Sequence, residues 1–150
     1  MQLTKRAFLK GSVALMAVAT LPRMLWAAVW PEKTFNETTM KPALVALFGT
    51  DVLTASDKIT LKVPEIAENG AVVPVSIKTS LPNVESISIV VEKNPRPMVA
   101  NFEILPGTLP DISSRIKMAE TSDVTAVVKT SDGIFSTARQ VKVTIGGCGG

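Results

Sequence analysis

The sequence predicts an all-β protein: an immunoglobulin-like antiparallel β-sandwich of about seven strands, preceded by one short N-terminal helix and followed by a flexible glycine-rich C-terminal arm. Three observations carry this. Apolar and polar residues alternate in seven short segments from residue 59 onward, giving each a face for a core and a face for water, as antiparallel sheets require. Gly, Pro, Asn, Asp and Ser gather between the segments, as turns do. The 150 residues, 46% apolar and 5% aromatic, suffice for one packed domain and not comfortably for two.

Residues 1–28 read as an export signal. Lys5, Arg6 and Lys10 form a basic start, the apolar stretch from Ser12 to about Leu21 is too short to span a bilayer, and Ala27 and Ala28 offer a cleavage site. The mature chain is expected to begin near Ala28 or Val29 and to carry no membrane anchor. Thr4-Lys5-Arg6-Ala7-Phe8-Leu9-Lys10 resembles the twin-arginine export signal, with Lys5 in place of the first arginine. Lysine keeps the charge and loses the planar guanidinium fork. The twin-arginine route to the periplasm is therefore the expectation, with the general secretory route as the alternative. The net charge of +3 belongs to this leader: without Lys5, Arg6, Lys10 and Arg23, 12 basic groups face 13 acidic ones, a balance of −1. No electrostatic case for a nucleic-acid partner remains.

The domain itself is expected over residues 29–145. Thr39 to Phe48 carries the helix signal, with Thr39 as N-cap, Pro42 in the first turn, Leu44, Leu47 and Phe48 on one side, and Gly49 as the stop. The seven strand segments follow. They centre on Ile59, Leu61 and Val63; Val73, Val75 and Ile77; Ile87, Ile89 and Val91; Phe102 and Ile104; Ile116 and Met118; Val124, Ala126 and Val128; and Val141, Val143 and Ile145. Pro74 cannot donate to a ladder, which predicts that its strand lies at an edge or bulges there. Ser131-Asp132-Gly133 predicts a hairpin that makes the last two strands neighbours. Ile89-Val90-Val91 is apolar on both faces, which fits a buried core strand better than an interface.

The chain has no His, no Tyr and one Cys, so a Ser-His-Asp triad, a Cys-His dyad and most metal sites lack their residues. No catalytic residue, metal or cofactor is expected. The chemical signal is the tail, Gly146-Gly147-Cys148-Gly149-Gly150, where the lone cysteine stands between glycine pairs. Paired glycines lose too much backbone entropy on ordering to extend a strand, so the last strand should stop near Ile145 and the arm should swing. A thin arm bearing a thiol can enter a narrow cleft and carry a group on sulfur. The same cysteine could instead crosslink the protein to a partner through an intermolecular disulfide, or be a tolerated thiol in a frayed end. An adenylated, thiocarboxylated Gly-Gly end is disfavoured, because it needs ATP that an exported protein does not meet. A lipoprotein anchor would place its cysteine at the other end of the chain.

These residues resemble the SoxY family of sulfur-oxidation carrier proteins. The most specific part is Gly146 to Gly150, preceded by Ile116-Lys117-Met118-Ala119 and by Arg139-Gln140-Val141-Lys142-Val143-Thr144-Ile145, with Asn94-Pro95-Arg96-Pro97 as a further similar loop. The resemblance implies that Cys148 is the covalent attachment point for thiosulfate-derived sulfur, and that Gly146, Gly147, Gly149 and Gly150 are the flexible arm. It implies a heterodimer with SoxZ, loading by the haem cytochrome SoxXA, release of sulfate by the hydrolase SoxB, and in many organisms oxidation of the remaining sulfane sulfur by SoxCD. The chain itself offers no electron acceptor for such a loading step, so redox partners must supply it. An unperturbed thiol of pKa about 8.5 is only a few per cent thiolate at neutral pH, and with no basic neighbour in sequence its activation falls to the partner's active site.

Overall fold

The computed structural model describes residues 31–146. Two short helices come first, α1 at Glu32–Asn36 and α2 at Met40–Phe48. Helix α2 matches the predicted one: Thr39 is the extended N-cap residue, and Gly49 closes the end in the left-handed region at φ 77°, its N–H donating to the Val45 carbonyl at 2.9 Å. Thr39 makes no side-chain capping bond; its carbonyl instead accepts from the Ala43 N–H. Helix α1 was not expected. At five residues it is too short to show periodicity.

Nine strands follow: β1 (Thr54–Ala55), β2 (Ile59–Lys62), β3 (Ile66–Ala67), β4 (Val73–Thr79), β5 (Val84–Val91), β6 (Met98–Glu103), β7 (Asp111–Ile116), β8 (Ser122–Thr130) and β9 (Gly133–Val143). The fold is the immunoglobulin-like sandwich that the alternation predicts, with a larger sheet ordered β1-β9-β8-β5-β6 and a smaller one ordered β2-β4-β7. The two strands beyond the expected seven, β1 and β3, have two residues each and pair in parallel with β9, so the architecture is not purely antiparallel. Two residues carry no legible alternation. The predicted hairpin is present, with Thr130 opposite Gly133 and β8 antiparallel to β9.

Two expectations need correction. Strand β4 is the middle strand of its sheet, not an edge, and the irregularities fall in β5 instead. Pro74 is tolerated because pairing with β2 ends at Lys62 and Ser76, leaving only Arg115 of β7 opposite it. Met118 is not in a strand: β7 stops at Ile116, and Met118 is fully buried in the following loop, its N–H donating to the Gly70 carbonyl at 2.7 Å.

Packing explains the doubly apolar strand. Ile87, Ile89 and Val91 of β5 join Val124, Ala126 and Val128 of β8 and Val73, Val75 and Ile77 of β4 in the core between the sheets. On the other face of the large sheet, Val90, Val127 and Met98 pack against Ala43 and Leu44 of α2. The layers are thus helices, large sheet, small sheet, and Ile89-Val90-Val91 is core on both sides.

Candidate functional site

The site begins where β9 ends. Parallel pairing places Ile66 opposite Lys142 and Ala67 opposite Val143. Beyond the strand the backbone stays tied: the Thr144 N–H donates to the Ala67 carbonyl at 3.1 Å, the Thr144 hydroxyl to the Glu68 carbonyl at 3.0 Å, and the Gly70 N–H to the Ile145 carbonyl at 2.7 Å. From the other side, the Val143 N–H donates to the Thr121 hydroxyl at 2.9 Å. The chain is therefore held through Ile145, as expected.

Gly146, the last described residue, passes close to the 117–121 loop. A Cβ there would lie 2.2 Å from the Ala119 carbonyl oxygen, far inside contact distance. Glycine is required at this position by close approach to backbone rather than for mobility. Ala119 is in turn fixed by Asn94, a buried side chain whose Oδ1 accepts from the Ala119 N–H at 2.9 Å and whose Nδ2 donates to the Lys117 carbonyl at 2.8 Å. The loop that carries Asn94 is itself anchored, with the Lys93 N–H donating to the Ser122 hydroxyl at 3.0 Å and the Asn94 N–H to the Val91 carbonyl at 3.2 Å. Lys93 and Glu120 form an exposed ion pair at 3.9 Å, too solvated to contribute much.

Two segments that sequence reasoning singled out without a role, Asn94 to Pro97 and Ile116 to Ala119, thus meet at the root of the tail. It did not find Thr121 or Gly70, since polar and small residues in turns carry no distinguishing signal. Cys148, Gly147, Gly149 and Gly150 lie outside the described residues, as does the export signal expected at 1–28. Among the described residues there is no group of three or more metal-ligating side chains and no helix long and apolar enough to cross a membrane. A surface depression of about 740 Å³ on the outer face of the small sheet is lined by Lys62, Ser76, Ser113 and Arg115 among others, with no carboxylate in its wall.

The fold defines a small β-sandwich whose last strand runs on, past Ile145 and a glycine packed close to the Ala119 carbonyl, toward Cys148. The family "Sulfur oxidation protein SoxY" matches residues 44–148, a range that includes Cys148. A solved structure described as the sulfur carrier protein SoxY from Chlorobium limicola f thiosulfatophilum is 45% identical, with a TM-score of 0.62 over 69% of this chain and 94% of that one. The chain belongs to the SoxY family. A superoxide reductase (neelaredoxin) from Ignicoccus hospitalis superposes with a TM-score of 0.55 over 64% of this chain and 98% of that one, and at 17% identity the likeness is one of fold alone. No curated protein matches significantly.

Proposed function

We propose that this protein is a covalent carrier of sulfur intermediates in periplasmic thiosulfate oxidation, with the substrate attached to Cys148 and presented to partner enzymes. The observation that carries the reading is the family match running through Cys148, a cysteine only two residues past a root built from β3, the 117–121 loop and Asn94. Two residues span at most about 7 Å, so covalent reach alone keeps the Cys148 Cα within that distance of the Gly146 Cα. Loading would form a sulfur–sulfur bond: Cys–SH and thiosulfate give Cys–S–SO3-terminated disulfane (Cys–S–S–SO3⁻), one proton and two electrons. The electrons pass to a haem partner, SoxXA in the family scheme. Hydrolysis of the terminal S–S bond by SoxB would then release sulfate, and SoxCD, where present, would oxidise the sulfane sulfur left on Cys148. The protein is the substrate's handle and not the catalyst, and it works as a heterodimer with SoxZ. Tethering replaces diffusion of a reactive intermediate by delivery at high effective concentration.

Intact-protein mass spectrometry of the mature protein, from cells grown with and without thiosulfate, tests this directly. A reductant-labile sulfur or thiosulfonate increment mapped to Cys148 is expected only with thiosulfate, and the same spectrum fixes the signal cleavage site. Cys148→Ser should abolish the increment while leaving thermal stability unchanged. If the wild type carries only a protein disulfide under both conditions, the protein is an exported interaction module that uses Cys148 as a crosslink.

A further inference from the structure

Strand β2 leaves the small sheet early. Its pairing with β4 ends at Lys62 opposite Ser76, while β4 and β7 run on together through Pro74 opposite Arg115 to Val73 opposite Ile116. The result is a notch at one corner of the sheet's outer face, walled by Val63 and Pro64 just past β2, and this notch is the depression of about 740 Å³. Alternation sends Lys62, Ser76, Ser113 and Arg115 outward, because Leu61, Val75 and Ile116 on the same strands are buried in the core. Lys62, Ser76 and Ser113 form one row across the three strands, and Arg115 stands one row further along β7. Neighbouring strands are about 4.8 Å apart, so β2 and β7 lie roughly 10 Å apart, and two side chains as long as lysine and arginine can close on one small ion above Ser76.

The donors gathered there lack acceptors. Lys62 and Arg115 are exposed and in no ion pair among the described residues, and no carboxylate lines the notch, whereas Lys78 on the same face pairs with Asp111 at 3.8 Å. Ser76 and Ser113 bond hydroxyl to hydroxyl, which uses one of their two hydroxyl hydrogens and leaves the other to donate. A second depression that shares Val63 and Pro64 holds Arg139 and Lys142 but also Glu65, so its wall is of mixed charge. We propose that the notch binds a doubly charged tetrahedral oxyanion, sulfate or thiosulfate, with Lys62 and Arg115 supplying the positive charge and the Ser76–Ser113 pair an O–H donor. The planar guanidinium fork matches two oxygens of such an ion, and lysine adds a compact point charge. A monoanion such as chloride gains half the attraction and has no second oxygen for the remaining donors. The open side stays wet and exposed charge pairs are individually weak, so the Kd is on the order of 1–10 mM. All four residues belong to this chain and none depends on Cys148, so the site stands apart from the carrier reading.

Heteronuclear NMR of the isotope-labelled mature protein tests this, with sodium sulfate or sodium thiosulfate exchanged for sodium chloride at constant ionic strength. The amides of Ser76, Ser113 and Arg115 should shift saturably with each dianion, and the amide of Val127 in the large sheet should not. Saturation by either ion supports the site, and the tighter of the two is its occupant. Lys62→Gln and Arg115→Gln should each raise the Kd at least threefold, and the double variant should abolish saturation. Lys78→Gln, on the same face but already paired, should leave the Kd within twofold of wild type. All three positions are exposed, and an unchanged Tm verifies that each variant is folded. The same Kd is expected in Cys148→Ser, and binding that disappears with the thiol overturns the notch as the site. Shifts that rise without saturating, or that survive the double variant, overturn it as well. The titration is repeated on the heterodimer with the partner subunit: if the three amides no longer respond there, the partner covers this face and the notch is not an ion site of the working protein.

Discussion

The two ends of the sandwich are built differently. At the end where β9 terminates, side chains hold segments far apart in sequence: Asn94 reaches the 117–119 loop, Ser122 the backbone of Lys93, Thr121 that of Val143, and Thr144 that of Glu68. At the other end, the Ser131-Asp132 hairpin is closed by bonds within two or three residues, and the long-range side-chain ties are Thr79 to the Lys58 carbonyl and the exposed ion pairs Lys129–Glu85 and Lys78–Asp111. All the ties at the first end converge on residues 143–146 or on the loop beneath them. The difference teaches that the end from which β9 leaves the sandwich is pinned by side chains reaching across the sequence, whereas the hairpin end closes largely on itself.

Removing the central tie is the strongest way to break this contrast. Asn94→Ala removes a buried amide and leaves the Ala119 N–H and the Lys117 carbonyl, both part-buried, without their partner, which costs about 1–3 kcal/mol. Denaturant unfolding should report that loss with an unchanged m-value. Hydrogen exchange at Ala119 should accelerate more than at strand amides such as Val127, because the loop opens below the global barrier. A loss spread evenly over both ends would mean that Asn94 is an ordinary core residue and not a clamp on the root.

The equivalent cut at the far end is expected to be milder. Thr79 donates to the Lys58 carbonyl at 3.1 Å and accepts from the Leu81 N–H at 3.1 Å, in a site 6% exposed. Its neighbour Ser80 already ties to the same Lys58 carbonyl through its own N–H. Thr79→Ala should therefore cost about 1–2 kcal/mol, chiefly from the unsatisfied Leu81 N–H. It should leave thiosulfate loading unaltered, which makes stability and loading separable by mass spectrometry on the same sample.

The sandwich was legible because strands such as β4 bury one face over seven residues, and β5 and β8, apolar on both faces, still carry enough β-branched residues between turns to read as strands. What escaped was short or indirect. Strands β1 and β3 are set by β9 and not by their own two residues, and α1 is set by the sheet face that α2 and Phe35 cover. Pro74 misled because edge status belongs to a single position and not to a whole strand. At the root, Gly146 and Gly147 look alike in sequence. Only the approach of the Ala119 carbonyl separates a glycine needed for space from one that lengthens the arm.

That separation is the finest point at which the comparison can be tested. Gly146→Ala puts a methyl group against the Ala119 carbonyl oxygen, 2.2 Å from an ideally built Cβ. The strain is relieved most easily by a shift of the chain at Gly146, which is exposed, whereas Ala119 is held by Asn94. The global cost should therefore stay below about 1 kcal/mol, well short of the 1–3 kcal/mol of overpacking in a closed core. The local effect should be plain: the Gly70 amide, bonded to Ile145 at 2.7 Å, loses exchange protection, while Val143, bonded to Thr121, keeps it. Gly147→Ala should move neither amide. Loading should then fall in Gly146→Ala although Cys148 alkylates as fast as before, because a small reagent finds the thiol wherever it points and a partner's cleft does not. If both glycine variants load alike, the root sets no direction and the platform matters only as an end to the strand.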